Sequence, residues 1–436
     1  MHSAEHAPAV AIETMGCKLN ASDSDALARQ FMAAGFRMAA PGQPADVYVL
    51  NTCTVTHLAD REARRRLRLA RRVNPRAVVV ATGCYAERPD VSGCGADIVA
   101  RRADRPCLPE MVMDALGDAQ PRGVPPSAEG QRLLRTRAMV KVQEGCDQVC
   151  AFCIVPRVRG RERCVPVEHV LAEVRARVAE GHREVVLTGT QIGSYYDGAS
   201  GARIEDLARR ILAETAIPRL RISSVQPQDI RPGLIALWRD PRLCRHLHVP
   251  LQSGCDATLE RMRRRYRTTL YAEAVARLRE AVPDIAVTTD VMVGFPGETE
   301  AEFEASYGFC ARMDFAMTHV FPYSARPGTT AAHLGGHVPD ADRRARMARM
   351  LALARESARA YRARFLGRTE GVLWELRPEE PLRPAGAPVW SGVTDTYIRV
   401  AARSDVVLSN RIGPAMLIAD SGDGLEGRVV ENVALS

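Results

Sequence analysis

The chain has 436 residues, 46% apolar and 26% charged, with a formal net charge of +8. That length exceeds one ordinary domain, and the composition supports a sizeable core and excludes a disordered chain. No run approaches the ~18 apolar residues of a membrane-spanning helix, and MHSAEHAPAVAIETMGCKLN is not a basic-then-apolar leader, so a cytoplasmic protein with no membrane partner is expected.

Residues 8–116 alternate strand and helix patterns: AVAIETM, SDALARQFMAAGF, ADVYVLNTC, an Arg-rich helix, then RAVVVATGC. That order predicts an open α/β sheet of parallel strands. Its three main strands each lead to a cysteine, Cys17, Cys53 and Cys84, and ligands of such sheets gather in loops at the carboxyl ends. Residues 117–131, GDAQPRGVPPSAEGQ, read as a linker.

Residues 132–364 carry six strand-like runs: AMVKVQEG, EVVLTGT, RLRISS, HLHVPLQ, AVTTDVMVG and MTHVFPY. Helical segments lie between them, and Thr299 with Glu302 makes a capping box. The fold class is therefore α/β with a partial six-unit (β/α) barrel whose chemistry sits on loops at the strand carboxyl ends. An Ala/Arg-rich helix at 338–366 leads outward. Residues 365–436, with GVLWEL, TYIRVAAR, PAMLIAD and EGRVVE as strands, predict a small all-β, OB-like barrel of a kind often used on RNA.

Twelve cysteines in a large intracellular protein point to metal or catalytic roles rather than disulfides. Cys146, Cys150 and Cys153 lie in EGCDQVCAFC, directly after the first barrel strand. A structural zinc wants four ligands, whereas three thiolates on a four-iron cluster leave one iron open. The alternatives are a zinc knuckle with a remote fourth ligand, or incidental cysteines. Cys17, Cys53 and Cys84 are separated by 35 and 30 residues, and their shared place at strand ends supports a second cluster. Three independently buried cysteines are the other reading.

Cys310, on the face of Phe303 and Tyr307, reads as core, and Cys94, Cys107, Cys164, Cys244 and Cys255 as structural. His246 and His248 alternate on one strand face and are read as satisfied strand histidines rather than ligands.

Nearly all basic residues are Arg, Lys standing only at 18 and 141, so an Arg count alone does not identify a nucleic-acid partner. Arg61, Arg65, Arg68 and Arg72 nonetheless form a stripe opposite Ala59, Ala63, Leu67 and Ala70, suited to phosphates or simply solvated. Arg157 and Arg159, after the cluster loop, and Tyr397 with Arg399 are further RNA candidates; Tyr397 reads equally as small-barrel core.

GCDQVCAFC resembles the radical S-adenosylmethionine signature, and the trio Cys17, Cys53 and Cys84 resembles the N-terminal part of methylthiotransferases. LTGTQIGSY, RISSVQP, HLHVPLQSGCD, DVMVGFPGETEAEF and VFPYSARPGT extend the resemblance along the chain, and GVTDTYIRV is similar to the RNA-binding TRAM module. Within the family, GCKLN and NTCTVT look most like the enzymes acting on N6-threonylcarbamoyladenosine at position 37 of tRNA, although Leu19 stands where Val is usual.

The resemblance implies two [4Fe-4S] clusters, one on each trio, and S-adenosylmethionine bound at the open iron of the first. A 5′-deoxyadenosyl radical would take hydrogen from C2 of the adenine, so no acid–base pair is required, and the second cluster would present the transferred sulfur. Phe152 resembles the family's aromatic residue against the adenine of S-adenosylmethionine; Gly189, Ser224 and Gln252, at strand ends, are candidates for its other contacts. A tRNA anticodon loop is the implied partner, and a flavodoxin or ferredoxin the implied electron donor. The alternatives are the same reaction on N6-isopentenyladenosine and a non-catalytic iron–sulfur redox sensor that binds RNA.

Overall fold

The computed structural model describes residues 7–39, 43–117, 135–375 and 387–430. Apart from Gly117, the expected linker lies outside the described residues.

The first sheet has β1 (Ala9–Thr14), β2 (Arg37–Met38), β3 (Val47–Thr52), β4 (Val78–Gly83) and β5 (Ile98–Val99). All pair in parallel, in the order β2-β1-β3-β4-β5. Helices α1 (Lys18–Ala33), α2 (His57–Val73) and α3 (Leu108–Leu116) cover it. In α2 the Thr56 side chain accepts from the Ala59 N–H at 3.2 Å, and Arg71 and Arg72 complement the helix dipole at the far end. After β1 the chain turns towards β2, and after β3 it turns the other way, to β4. Such a reversal opens a crevice beyond the strand carboxyl ends. Cys17, Cys53 and Cys84 all stand there.

All six strands expected of the large barrel form: β6 (Arg137–Lys141), then, after the small hairpin β7 (Gln143–Glu144) and β8 (Arg163–Cys164), β9 (Glu184–Thr188), β10 (Arg219–Ile222), β11 (His246–His248), β12 (Ala286–Val293) and β13 (Met317–Pro322). The wall is not one continuous ladder. β6-β9-β10 and β11-β12-β13 are separate three-stranded parallel sheets, joined through single bridges at Leu220–Leu243 and Ser224–His248. β6 and β13 do not pair, which leaves a lateral gap. α4 (Val155–Arg159), α5 (Val167–Ala179), α6 (Ile204–Glu214), α7 (Pro232–Ile235), α8 (Asp256–Arg261), α9 (Thr268–Ala281) and α10 (Glu300–Met313) follow their strands. The Thr299–Glu302 capping box opens α10. The 24-residue α11 (Asp340–Ala363) runs against β13.

The C-terminal strands are β14 (Thr369–Trp374), β15 (Val389–Thr394), β16 (Arg399–Arg403), β17 (Ile412–Asp420) and β18 (Leu425–Val429). They close as β14-β15-β16-β18-β17, the small barrel that was expected. β15 was not anticipated, because Ser391–Gly392 interrupts its apolar pattern; pairing with β14 and β16 on either side compensates. The small barrel seals the amino ends of the large barrel's strands. Arg219 donates to the carbonyls of Val393 and Gly371 at 3.1 and 2.7 Å, and Arg221 to those of Thr394 and Asp395 at 3.1 and 2.9 Å. Arg221 is itself paired with Glu184 at 2.7 Å, both side chains 0% exposed.

Candidate active site

Cys146, Cys150 and Cys153 lie on the loop between β7 and α4. The Cys153 N–H donates to the Cys150 carbonyl at 3.2 Å and the Gln148 N–H to the Cys146 sulfur at 3.4 Å, folding the loop around its thiols. Arg264 donates to Cys150 Sγ at 3.2 Å; such bonds to sulfur tune an iron–sulfur cluster. Burial pushes the Cys153 thiol up to about 12, with Cys150 and Cys146 adding to the effect, and raises Cys146 as well.

The other trio is assembled from three loops. Cys17 is the N-cap residue of α1. Gly16 (φ +94°) backs onto Cys53, where a Cβ would come within 2.9 Å of Cys53 Cβ. Asn20, fully buried, is the strut: its Nδ2 donates to the carbonyls of Met15 and Thr52 at 2.7 and 2.9 Å, and its carbonyl accepts from Asn51 Nδ2 at 2.8 Å. Its Oδ1 accepts from Arg159 and lies 4.0 Å from Cys84 Sγ. Burial carries Cys53 up to about 11, Cys84 and Cys17 contributing, and raises Cys84 against the opposing pull of Arg159.

All twelve cysteines are free of disulfides. Among the described residues, no three His, Cys, Asp or Glu side chains converge as closely as a single ion requires. An iron–sulfur cube is larger than one ion. Burial raises Cys53, Cys84, Cys146 and Cys153, and such thiols fit a group that supplies positive charge on binding. Beyond the strand carboxyl ends, buried Thr190 Oγ1, Ser223 Oγ and Gln252 Oε1 have no hydrogen-bond partner. Gln252 sits at φ +70°, strain of the sort that collects at functional sites. These orphaned acceptors fit a polar cofactor.

The other expected residues divide. Phe152 is half-buried and meets Phe295 edge-on at 6.5 Å. Ser224, half-buried, bridges to His248. At Gly189 a Cβ would strike Ile192 Cγ2 and the Gln143 carbonyl at 2.7 and 2.8 Å, so its own chain already requires a glycine there. Arg61, Arg65, Arg68 and Arg72 are exposed, Arg65 paired with Glu62 at 2.7 Å. Arg157 is exposed and lies over Gly328. Arg159 is no RNA contact. It is buried, paired with Glu144 at 2.9 Å and Asp23 at 3.2 Å, and pins α1 to the large barrel. Tyr397 is neither on a strand nor in the small-barrel core: it occupies the β15–β16 turn at φ +67° and stacks on His246 at 4.4 Å. Arg399 begins β16 and is exposed. His246 and His248 share Thr288 Oγ1 at 3.1 and 3.0 Å. Asn20, Lys18 and Arg264 were missed; a polar residue on the buried side of a helix's first turn was the available sign for Asn20.

Residues 140–310 match the family described as Radical SAM superfamily, and residues 9–96 match Uncharacterized protein family UPF0004. The chain is 34% identical to "Threonylcarbamoyladenosine tRNA methylthiotransferase MtaB" of Bacillus subtilis (strain 168), over 97% of each chain. The chain belongs to the radical SAM methylthiotransferases. The Thermotoga maritima protein of the same name is 34% identical over 93% of this chain and 92% of its own. "tRNA-2-methylthio-N(6)-dimethylallyladenosine synthase" of Anaeromyxobacter sp. (strain K) is 38% identical over 85% of this chain and 84% of its own. Among solved structures, the radical S-adenosylmethionine methyltransferase TsrM from Kitasatospora setae shares the fold, with TM-score 0.53 and 16% identity over 75% of this chain and 77% of that one. This member of the family is thus a radical SAM enzyme that transfers a methylthio group to tRNA, using S-adenosylmethionine and two [4Fe-4S] clusters. Among the described residues, no helix is long and apolar enough to cross a membrane.

Proposed function

We propose that this enzyme converts N6-threonylcarbamoyladenosine at position 37 of tRNA to its 2-methylthio derivative. The observation that carries this reading is the end-to-end alignment with the Bacillus subtilis relative, at 97% of both chains. In the proposal residues 8–116 hold the auxiliary cluster, 132–364 the radical chemistry and 365–436 the RNA contacts. Cys146, Cys150 and Cys153 hold one cluster and Cys17, Cys53 and Cys84 the other, each with one iron open. Bound there, the cofactors supply radical cleavage of S-adenosylmethionine and the sulfur to be transferred. Gln252, Ser224 and Phe152 orient S-adenosylmethionine, while the buried Arg159 network and the apolar ring cluster of Phe152, Phe295 and Tyr323 exclude water. Electrons come from a flavodoxin or ferredoxin in the cytoplasm, and the exposed Arg stripe of α2, with Arg157 and Arg399, meets the anticodon arm.

The dimethylallyl substrate is the second reading, supported by the 38% identity to the Anaeromyxobacter enzyme. Mass spectrometry of tRNA nucleosides from a deletion strain decides between them. Loss of the methylthio form of the threonylcarbamoyl nucleoside is expected; its persistence rejects the proposal.

A further inference from the structure

Beneath the thiols, the floor of the large barrel carries an unusual charge. Lys18 Nζ lies 5.2 Å from the centre of the Tyr397 ring, and the guanidinium carbons of Arg221 and Arg137 lie 5.0 and 5.6 Å from it. Of these three cations Arg221 has an acid, Glu184 at 2.7 Å. Asp290, which acts on Lys18, is taken by His248 at 3.2 Å, and Asp395, which acts on Arg221, by Arg245 at 2.6 Å. Among the described residues, no carboxylate comes within 4.0 Å of Lys18 or Arg137, and Arg137 Nη1 is buried without a hydrogen-bond partner. Two neighbouring cations repel one another, and a guanidinium nitrogen buried without a partner forfeits the hydration it had in water. Tyr397, which stands between them, holds a left-handed backbone that a non-glycine residue rarely keeps without a functional reason.

A cavity of about 510 Å³ opens beside this group, lined by Arg137, Met317, Tyr397 and Arg399, with the acids Glu375 and Asp423 on its wall; Lys18 stands behind the Tyr397 ring rather than in the lining. Arg137 starts β6 and Met317 starts β13, so the cavity lies at the foot of the lateral gap, against the small barrel. It is large enough for a planar base with a side arm.

We propose that Lys18 and Arg137 form a subsite for the carboxylate on the N6 substituent of the target adenine, and so select a carboxylate-bearing substituent over an apolar one. This inference rests on the threonylcarbamoyl reading and names the residues that would enforce it. A threonylcarbamoyl arm ends in a carboxylate, which supplies the missing acid to both cations; Arg137 offers it a fork of N–H donors. A dimethylallyl arm has no charge and would leave both cations unanswered. Sites built around unsatisfied polar groups reject substrates that lack the matching group.

The test uses the full-length protein with both clusters reconstituted, and anticodon stem-loop RNAs carrying the threonylcarbamoyl group, its methyl ester or a dimethylallyl group. Fluorescence anisotropy gives affinity and mass spectrometry gives product. The wild type is expected to bind the acid roughly 10-fold or more tightly than the ester. Lys18→Gln and Arg137→Gln should each bring that ratio to about 3-fold or less, leaving the ester's affinity within about 2-fold of wild type. Iron and sulfide content are measured on each variant, and Arg137, remote in sequence from the cysteines, keeps the test meaningful if Lys18→Gln disturbs cluster loading. A wild type blind to the ester, or variants that keep the full ratio, overturns the subsite while methylthiolation of the acid RNA upholds the substrate reading. Methylthiolation of the dimethylallyl RNA alone overturns both.

Discussion

The two cysteine trios are built in opposite ways. Cys146, Cys150 and Cys153 come from one loop and are organised by hydrogen bonds inside it. Cys17, Cys53 and Cys84 come from three strand ends, and their convergence depends on Asn20, Gly16 and the sheet order β2-β1-β3-β4-β5. A local site needs its own few residues in place. An assembled site needs a whole sheet, so it is more sensitive to distant change. Arg159 joins the two: it follows the first trio by six residues in sequence and bonds to the strut of the second.

The sharpest division is expected from the thiols. Cys150→Ala or Cys153→Ala should lower 5′-deoxyadenosine formation by on the order of 10³-fold, whereas Cys53→Ala should leave it within about 10-fold of wild type and lose the methylthio product. Quantifying both products under reducing, anaerobic conditions checks this. Equal loss of 5′-deoxyadenosine from both trios would break the proposed separation of roles.

Next is Arg159→Met, which takes one partner each from the buried carboxylates Asp23 and Glu144, while Arg105 and Lys141 stay on Asp23 and Lys141 on Glu144. A destabilisation of about 1.5–3 kcal/mol is expected, read as a fall in Tm. Iron loading on the assembled trio should suffer more than on the local one, visible in iron content and electron paramagnetic resonance.

The same seam gives a pH dependence. Burial alone would raise the Asp23 carboxyl, but Arg105, Lys141 and Arg159 outweigh it and hold the group down to about 2. With the folded value depressed below the unfolded one, the stabilisation is present above about pH 4 and is lost as pH falls towards 2. It is worth about 2 kcal/mol, and Asp23→Asn should flatten that part of a Tm-against-pH profile.

The smallest effects belong to the surface of α2, whose amino end follows Cys53. Arg61→Gln and Arg68→Gln should each weaken tRNA binding a few-fold and reduce the slope of log affinity against log salt by about 0.7–0.9. Arg65→Gln should do less, because Glu62 already answers its charge. Salt titrations of tRNA binding check the ranking; a slope unchanged in all three variants removes the stripe from the RNA surface.

Much of the architecture could be read from residue order. Each of the six large-barrel strands is a short apolar run before a turn or helix, and each formed. β15 was missed because Ser391–Gly392 hides its alternation, and two flanking strands, rather than its own propensity, hold it. Gly189 is a subtler case. Its need for glycine was legible from its place at a strand end, but not that Gln143, on β7, and Ile192 impose it.

The amino-acid order by itself determined the cysteine spacing of the local trio, the strand and helix periods and the overall α/β class, since these depend on residues close along the chain. Tertiary structure alone decided the fate of the charges. Arg157 and Arg159 are two positions apart and chemically identical, yet one is exposed and the other sits among Asn20, Asp23 and Glu144. Lys18 and Tyr397, 379 positions apart, meet under the barrel. Whether a charge is solvated or buried is set by what the fold brings to it across the chain, and no local pattern carries that information.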